Sequence, residues 1–183
     1  MNELYAYHVV TEKPMYLGQH VVFDDKHHSG VYNRVMEKID VVNDIYSNPN
    51  KYANKKLEHH TMVALRELAL EKVRKGNYPN CPSRLSCLYV SKSIEEAENW
   101  VKYFLSLGRP VYSIVKLKVN GDVFEGDANN CFEATINEEI NLMLAKRYWD
   151  NCPNLQNETS IKEILVSGDI EVVEFVKEIG SNL

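Results

Sequence analysis

The chain has 183 residues, 44% of them hydrophobic and 26% charged, which is the composition of a globular protein and fits one domain without a stabilising disulfide or metal. The net charge of −5 argues against nonspecific binding to nucleic acid, which depends on lysine and arginine contacts to phosphates. No stretch is apolar enough for a membrane span and the N-terminus lacks signal-peptide features, so the sequence predicts a cytoplasmic protein with no membrane partner.

The first half of the chain predicts two strands followed by two helices. Apolar residues predict strands over 4–10 and 20–23. Helical spacing of apolar side chains from Val31 to Tyr46 then predicts one amphipathic helix, which a turn containing Pro49 ends. A second helix is predicted from about 57 to 75, with Gly76 as its stop.

The second half predicts strands and helices in a less regular order. A strand over 85–90 runs into a helix whose start carries a capping box, Ser93 with Glu96. A strand over 111–119 ends at the Asn120-Gly121 turn, and a helix is predicted over 137–149.

Two final strands, 161–166 and 170–176, are joined by Ser167-Gly168-Asp169, which predicts a C-terminal β-hairpin. The helices do not alternate regularly with strands. The pattern therefore favours a mixed α+β fold over a doubly wound parallel sheet, as a single domain over residues 1–183.

No metal site is predicted. The chain lacks a Cys-x-x-Cys pair, and its four cysteines are expected to remain reduced thiols. The histidine pairs His27-His28 and His59-His60 are poor chelates, because adjacent residues point to different sides of a strand or helix.

Three dispersed residues are the candidates for chemistry. His8 lies on the first strand, Tyr89 lies where a strand meets a capped helix, and Glu163 heads a late apolar strand. Each alone is more often structural: a strand histidine, a core aromatic, and an acid that points to solvent because burying an unpaired charge is costly.

The order histidine, tyrosine, glutamate resembles that of the ADP-ribosyltransferase superfamily. The stretch 7–11 is similar to that family's first motif, 88–97 to its strand-plus-helix second motif, and 163–166 to the third motif of its DNA-modifying members. A closer resemblance, over nearly the whole chain, is to an uncharacterised bacterial family, domain of unknown function 2441, itself of ADP-ribosyltransferase-like fold. The stretches that carry this resemblance are 7–14, 28–32, 82–85 and 126–130.

The resemblance implies a mixed sheet flanked by helices and a role for each candidate. His8 would bind a ribose hydroxyl of NAD, Tyr89 would stack on the nicotinamide ring, and Arg84 would bind the pyrophosphate. Ser91 is a further candidate for binding NAD. Glu163 would hold the ribose 2′-hydroxyl and stabilise the oxocarbenium-like transition state as nicotinamide leaves. The residue-based alternative for Arg84 is a surface ion pair.

The chain departs from the family patterns at several positions. Val9 and Val10 follow the histidine where active members often have small residues. Ile161 stands two residues before Glu163, where many arginine-modifying members carry an acid or amide, which disfavours arginine as acceptor. Asp122, Asp127 and Glu133 are alternative third acids if the rifampin-modifying pattern applies.

The expected function is therefore an NAD-dependent ADP-ribosyltransferase acting on an unknown acceptor. The alternative is a non-catalytic NAD- or nucleotide-binding module of the same fold. A third reading, an RNA-processing 2′-phosphotransferase, requires several basic residues in one pocket, and Arg84 is joined only by Arg109 and Arg147 as candidates.

Overall fold

The computed structural model describes residues 3–180, which form a mixed α+β structure as the sequence predicts. Its strands are β1 (Glu3–Val10), β2 (His20–Phe23), β3 (Leu88–Val90), β4 (Ser113–Asn120), β5 (Val123–Asp127), β6 (Lys162–Val166) and β7 (Gly168–Glu178). Its α-helices are α1 (Gly30–Met36), α2 (Ile39–Ser47), α3 (His59–Asn77), α4 (Ile94–Ser106) and α5 (Glu138–Trp149). Among these helices of residues 3–180, none combines the length and the apolar character that crossing a bilayer requires.

The described chain divides into two compact units, each built from separate stretches of sequence. We call residues 3–27, 88–124 and 163–180 the sheet unit, because most of the strands lie there. We call residues 28–87 and 125–162 the helical unit, because α1, α2, α3 and α5 lie there.

The sheet unit is organised around two sheets. The first has the strand order β1-β4-β7-β2, with every neighbouring pair antiparallel. The second has the order β3-β6-β5, and β3 pairs antiparallel with β6. One apolar core joins the two, since Ala6 and Leu117 of the first sheet cluster with Val90 and Ile164 of the second. A smaller cluster packs Ala97 of α4 against Val9 of β1.

The helical unit has its own core. Val35 of α1, Ile45 of α2 and Leu65 of α3 cluster there with Leu85 and Ala134. Helix α5 packs against α3, where the indole of Trp149 donates a hydrogen bond to the carbonyl oxygen of Leu70 at 2.9 Å. The apolar periodicity of α3 thus serves a helical core rather than a sheet.

The predicted C-terminal β-hairpin is wrong. Strand β6 pairs with β3 in one sheet, whereas β7 pairs with β4 and β2 in the other. The turn between them changes sheet: the Ser167 N–H donates to the Asp122 carbonyl at 3.1 Å, and Gly168 takes a φ of +92°. A Cβ on Gly168 would lie 2.4 Å from the Asn120 carbonyl oxygen, so only glycine fits this crossing.

Two helix boundaries also differ from the predictions. The single helix expected from Val31 to Tyr46 is two helices, because the Lys38 N–H closes a tighter turn onto the Val35 carbonyl at 3.0 Å. Gly76 does not stop α3, which continues to Asn77. Local caps were predicted better: the Ser93 hydroxyl accepts the Glu96 N–H at 3.1 Å and begins α4.

Candidate functional site

Strand β1 meets the end of β3 at a single pair of hydrogen bonds. The Tyr7 N–H donates to the Ser91 carbonyl and the Ser91 N–H donates to the Tyr7 carbonyl, both at 2.8 Å. This two-way exchange marks a hydrogen-bonded antiparallel pair. It brings His8, the next residue of β1, beside the segment that carries Tyr89 and Ser91.

His8 is fixed there by its own side chain. Its Nδ1 lies 2.8 Å from the carbonyl oxygen of Tyr89. A carbonyl oxygen only accepts hydrogen bonds, so Nδ1 carries the proton. In the neutral ring Nε2 is therefore an acceptor, because the hydrogen bond to the main-chain carbonyl of Tyr89 selects the tautomer with the proton on Nδ1.

The neutral form of His8 is favoured. Burial lowers the pKa of the imidazole, and this effect outweighs the Tyr89 carbonyl and the Glu12 carboxylate, which both raise it. At neutral pH His8 therefore offers a hydrogen-bond acceptor at Nε2. A hydroxyl group is a suitable donor for it.

Tyr89, Ser91 and Glu163 lie in one row on the β3–β6 ribbon. Tyr89 pairs with Leu165 and Val90 pairs with Ile164, so the register continued by one residue brings Ser91 opposite Glu163. Opposed residues of an antiparallel pair project from the same face. Tyr89 is 39% exposed, Ser91 is buried and Glu163 is partly buried.

His8 reaches this row through the main chain of β3. Alternation along β1 groups it with Ala6 and Val10, which belong to the sheet core. Val90 belongs to the same core, so the phenol ring of Tyr89 projects from the opposite face of β3. The structure thus brings the imidazole of His8 to the carbonyl of Tyr89 rather than to its ring. We call His8, Tyr89, Ser91 and Glu163 the strand junction.

Arg84 lies in the helical unit and is 5% exposed. Its Nε donates to Oε2 of Glu67 at 2.9 Å, and its Nη1 donates to the hydroxyl of Tyr148 at 2.8 Å. Glu67 is buried, yet Arg84 and Arg66 hold its pKa below the ordinary value against the effect of burial. Sequence reasoning missed Glu67 and Tyr148, because each lies far from Arg84 along the chain.

The alternative acids lie elsewhere. Asp122 and Glu133 are exposed, in the sheet unit and the helical unit respectively. Asp127 is buried and accepts the N–H groups of Asn129 and Ile161, both at 3.0 Å, together with the amide of Asn154 at 2.9 Å. Although burial acts to raise it, these hydrogen bonds leave the pKa of Asp127 lowered.

A pocket of about 430 Å³ opens beside Asp127 in the helical unit. Its lining includes Asn151, Cys152, Asn154 and Glu158. Asn154 closes the surrounding loop, because its side chain bonds both the N–H and the carbonyl of Glu158 at 2.9 Å. Hydrogen bonds of Asp127 and Asn154 thus stabilise the loop that forms the wall of the pocket.

Comparison with known proteins places the chain in a family. No curated protein matches it. The family described as "Protein of unknown function (DUF2441)" matches residues 6–178, which includes the whole strand junction and Arg84. The chain therefore belongs to the DUF2441 family.

Proposed function

We propose that the strand junction binds NAD and that the protein is an NAD-dependent ADP-ribosyltransferase acting on an acceptor molecule. The observation that carries the proposal is the hydrogen bond of 2.8 Å between Nδ1 of His8 and the Tyr89 carbonyl. It orients a neutral imidazole with Nε2 as an acceptor for a ribose hydroxyl. Tyr89, whose carbonyl receives this hydrogen bond, also stands in one row with Ser91 and Glu163 on the β3–β6 ribbon.

Each residue of the row supplies a distinct chemical property. The exposed ring of Tyr89 offers a flat surface for stacking on nicotinamide. The Glu163 carboxylate holds the ribose 2′-hydroxyl and stabilises positive charge at C1′ as the bond to the nicotinamide nitrogen breaks. Nicotinamide leaves as a neutral base, and the acceptor then bonds to C1′ and loses a proton. Arg84 has no part in this proposal, because its guanidinium binds Glu67 and Tyr148.

One observation favours the alternative of a non-catalytic NAD- or nucleotide-binding module. His8 aligns with the core-facing residues of β1, whereas Tyr89 and Glu163 occupy the opposite row of the β3–β6 ribbon. Turnover requires the imidazole and the carboxylate to contact one ribose. Binding requires only that His8 and the tyrosine ring reach the ligand.

Nicotinamide release from NAD separates the two functions. We expect Glu163→Gln to lower release by about a hundredfold or more, since it removes the charge that stabilises the transition state. Glu174→Gln, at an exposed position of β7, is the matched control and leaves release unchanged. If Glu163→Gln released nicotinamide as fast as the wild type, the role of Glu163 would be wrong.

Calorimetric titration with NAD completes the test. Binding without release supports the non-catalytic module, and no binding rejects both functions. His8→Asn keeps a donor for the Tyr89 carbonyl but has no equivalent of Nε2, so we expect it to weaken NAD binding by about tenfold or more. Unchanged affinity in His8→Asn would contradict the role given to the histidine.

A further inference from the structure

A histidine and a serine of the helical unit form a direct side-chain pair. Nδ1 of His28 lies 2.6 Å from Oγ of Ser86, although 58 residues separate the two along the chain. Both residues belong to the helical unit, so the pair is distinct from the strand junction. The distance is within the hydrogen-bond reach that a nucleophile and its base require.

The main chain on either side of the pair sets this distance. The N–H and the hydroxyl of Ser29 both donate to the carbonyl of Leu85, at 2.9 Å and 3.0 Å. Leu85 is 5% exposed and belongs to the core of the helical unit. These bonds join the residue after the histidine to the residue before the serine, so the fold itself brings the imidazole to the hydroxyl.

The imidazole ring is also stacked on Tyr32. The two ring centroids are 3.7 Å apart, and the ring planes are 11° from parallel. Tyr32 in turn packs against the core of the helical unit. The ring of His28 is therefore hydrogen-bonded at Nδ1 and covered on one face, which fixes its orientation toward the hydroxyl. A third group that orients the base completes the usual nucleophile–base arrangement.

Ser106 shows how a serine hydroxyl is otherwise satisfied in this chain. Its hydroxyl donates to the main-chain carbonyl of Tyr103 at 2.7 Å. A carbonyl oxygen accepts a hydrogen bond but does not take up the proton at neutral pH. Nδ1 of a neutral imidazole can do both, so the Ser86 hydroxyl has a base where Ser106 has only an acceptor.

We propose that Ser86 is a nucleophile with His28 as its general base, and that this site accepts a small acyl group such as acetyl. His28 is exposed and can exchange protons with water, whereas Ser86 is 6% exposed, which restricts the site to small electrophiles. The proposal concerns the helical unit alone and does not depend on NAD binding at the strand junction.

The transfer is balanced in its bonds and protons. Oγ of Ser86 bonds to the carbonyl carbon of an ester while its proton passes to Nδ1 of His28. The bond from that carbon to the leaving oxygen then breaks, and the leaving oxygen takes the proton from Nδ1. The imidazole keeps its other proton on Nε2 throughout, so the ring returns to its starting form.

Acetylation by p-nitrophenyl acetate tests the pair. The purified protein is incubated with the ester and quenched in acid at intervals, and peptide fragmentation in mass spectrometry assigns each acetyl group to a residue. We expect Ser86 to be acetylated at least about tenfold faster than Ser106, because a positioned base accelerates such a step by about 10²–10⁴-fold and outweighs the lower access. Access alone gives the opposite order, since Ser106 is exposed. Faster acetylation of Ser106, or acetyl on His28 or Cys87 without any on Ser86, would overturn the proposal.

Two histidine variants locate the base. His28→Gln keeps a polar side chain but cannot take up the proton, so it should slow acetylation of Ser86 by about a hundredfold. His59→Gln, at an exposed position that begins α3 in the same unit, should leave the rate unchanged. An unchanged rate in His28→Gln would overturn the role of the histidine. The comparison of Ser86 with Ser106 is made in the wild-type protein and requires neither variant to fold.

Discussion

The substitution Arg84→Met tests the buried ion pair of the helical unit. It removes the bond of 2.9 Å to Glu67 and the bond of 2.8 Å to the Tyr148 hydroxyl, and methionine fills much of the volume of the arginine stem. The side chains of Arg84 and Glu67 are only 6% and 4% exposed. The substitution leaves a buried carboxylate whose remaining ion-pair partner is Arg66.

The expected loss of unfolding free energy is about 3 kcal/mol. Removing one partner of a buried ion pair costs about 3–5 kcal/mol, because the other charge stays out of water. Arg66 still offsets part of the charge on Glu67, so we expect the lower end of that range. For a protein of this size the melting temperature should fall by roughly 6–12 °C.

Urea unfolding followed by Trp149 fluorescence measures the effect, in a Trp100→Phe background so that the signal comes from the helical unit. Lys72→Met is the control: it breaks an exposed pair with Glu138, with side chains 63% and 41% exposed, and should cost less than about 1 kcal/mol. If Arg84→Met were no more destabilising than Lys72→Met, the reasoning from burial would be refuted.

Three further predictions concern other parts of the fold. The pKa of His8 is lowered in the folded protein, so the unfolded state binds more protons just below about pH 6.5. The free energy of unfolding should therefore fall as the pH falls through that range. His8→Asn should remove the part of this pH dependence that comes from His8, as measured by urea titrations at pH 5 and pH 7. Gly121→Ala would put Cβ 1.9 Å from the Ser167 carbonyl oxygen and should lower the free energy of unfolding by about 2 kcal/mol or more. Gly76→Ala lies in a helix with open space around the new Cβ and should raise the free energy of unfolding by about 0.5–1 kcal/mol. Thermal melts measure both, and a variant Gly121→Ala more stable than Gly76→Ala would contradict the packing. Ser93→Ala removes the cap of α4 and should cost about 1 kcal/mol, which Ser93→Asp should restore; equal stability of Ser93→Ala and the wild type would show that the cap contributes nothing.

The sequence predicted the elements whose signals are local. The Ser93 cap and the bounds of β2 both depend on a few neighbouring residues, and the structure has them as predicted. The division of β6 and β7 between two sheets depends on pairing with β3 and β4, far away in the chain. A turn that suits a hairpin also suits a change of sheet, so the hairpin prediction failed.

The surroundings of the candidate residues were also beyond local reasoning. Arg84 meets Glu67 and Tyr148, which are 17 and 64 residues away in the sequence. His8 meets the main chain of Tyr89 across 81 residues. A pattern of residue types can order such candidates along the chain, but only the tertiary structure says which atoms of them meet.

The interleaving of the two units constrains how the chain acquires its structure. Reading from the first described residue, the polypeptide passes between the units four times, and β7, in the interior of its sheet, comes from the last of these passages. Neither unit corresponds to a contiguous fragment, and a chain that ends before residue 163 lacks the strand that links β4 to β2. On the ribosome the sheet of β1, β4, β7 and β2 is therefore completed only after β7 has emerged, whereas all residues of the helical unit are synthesised before β7.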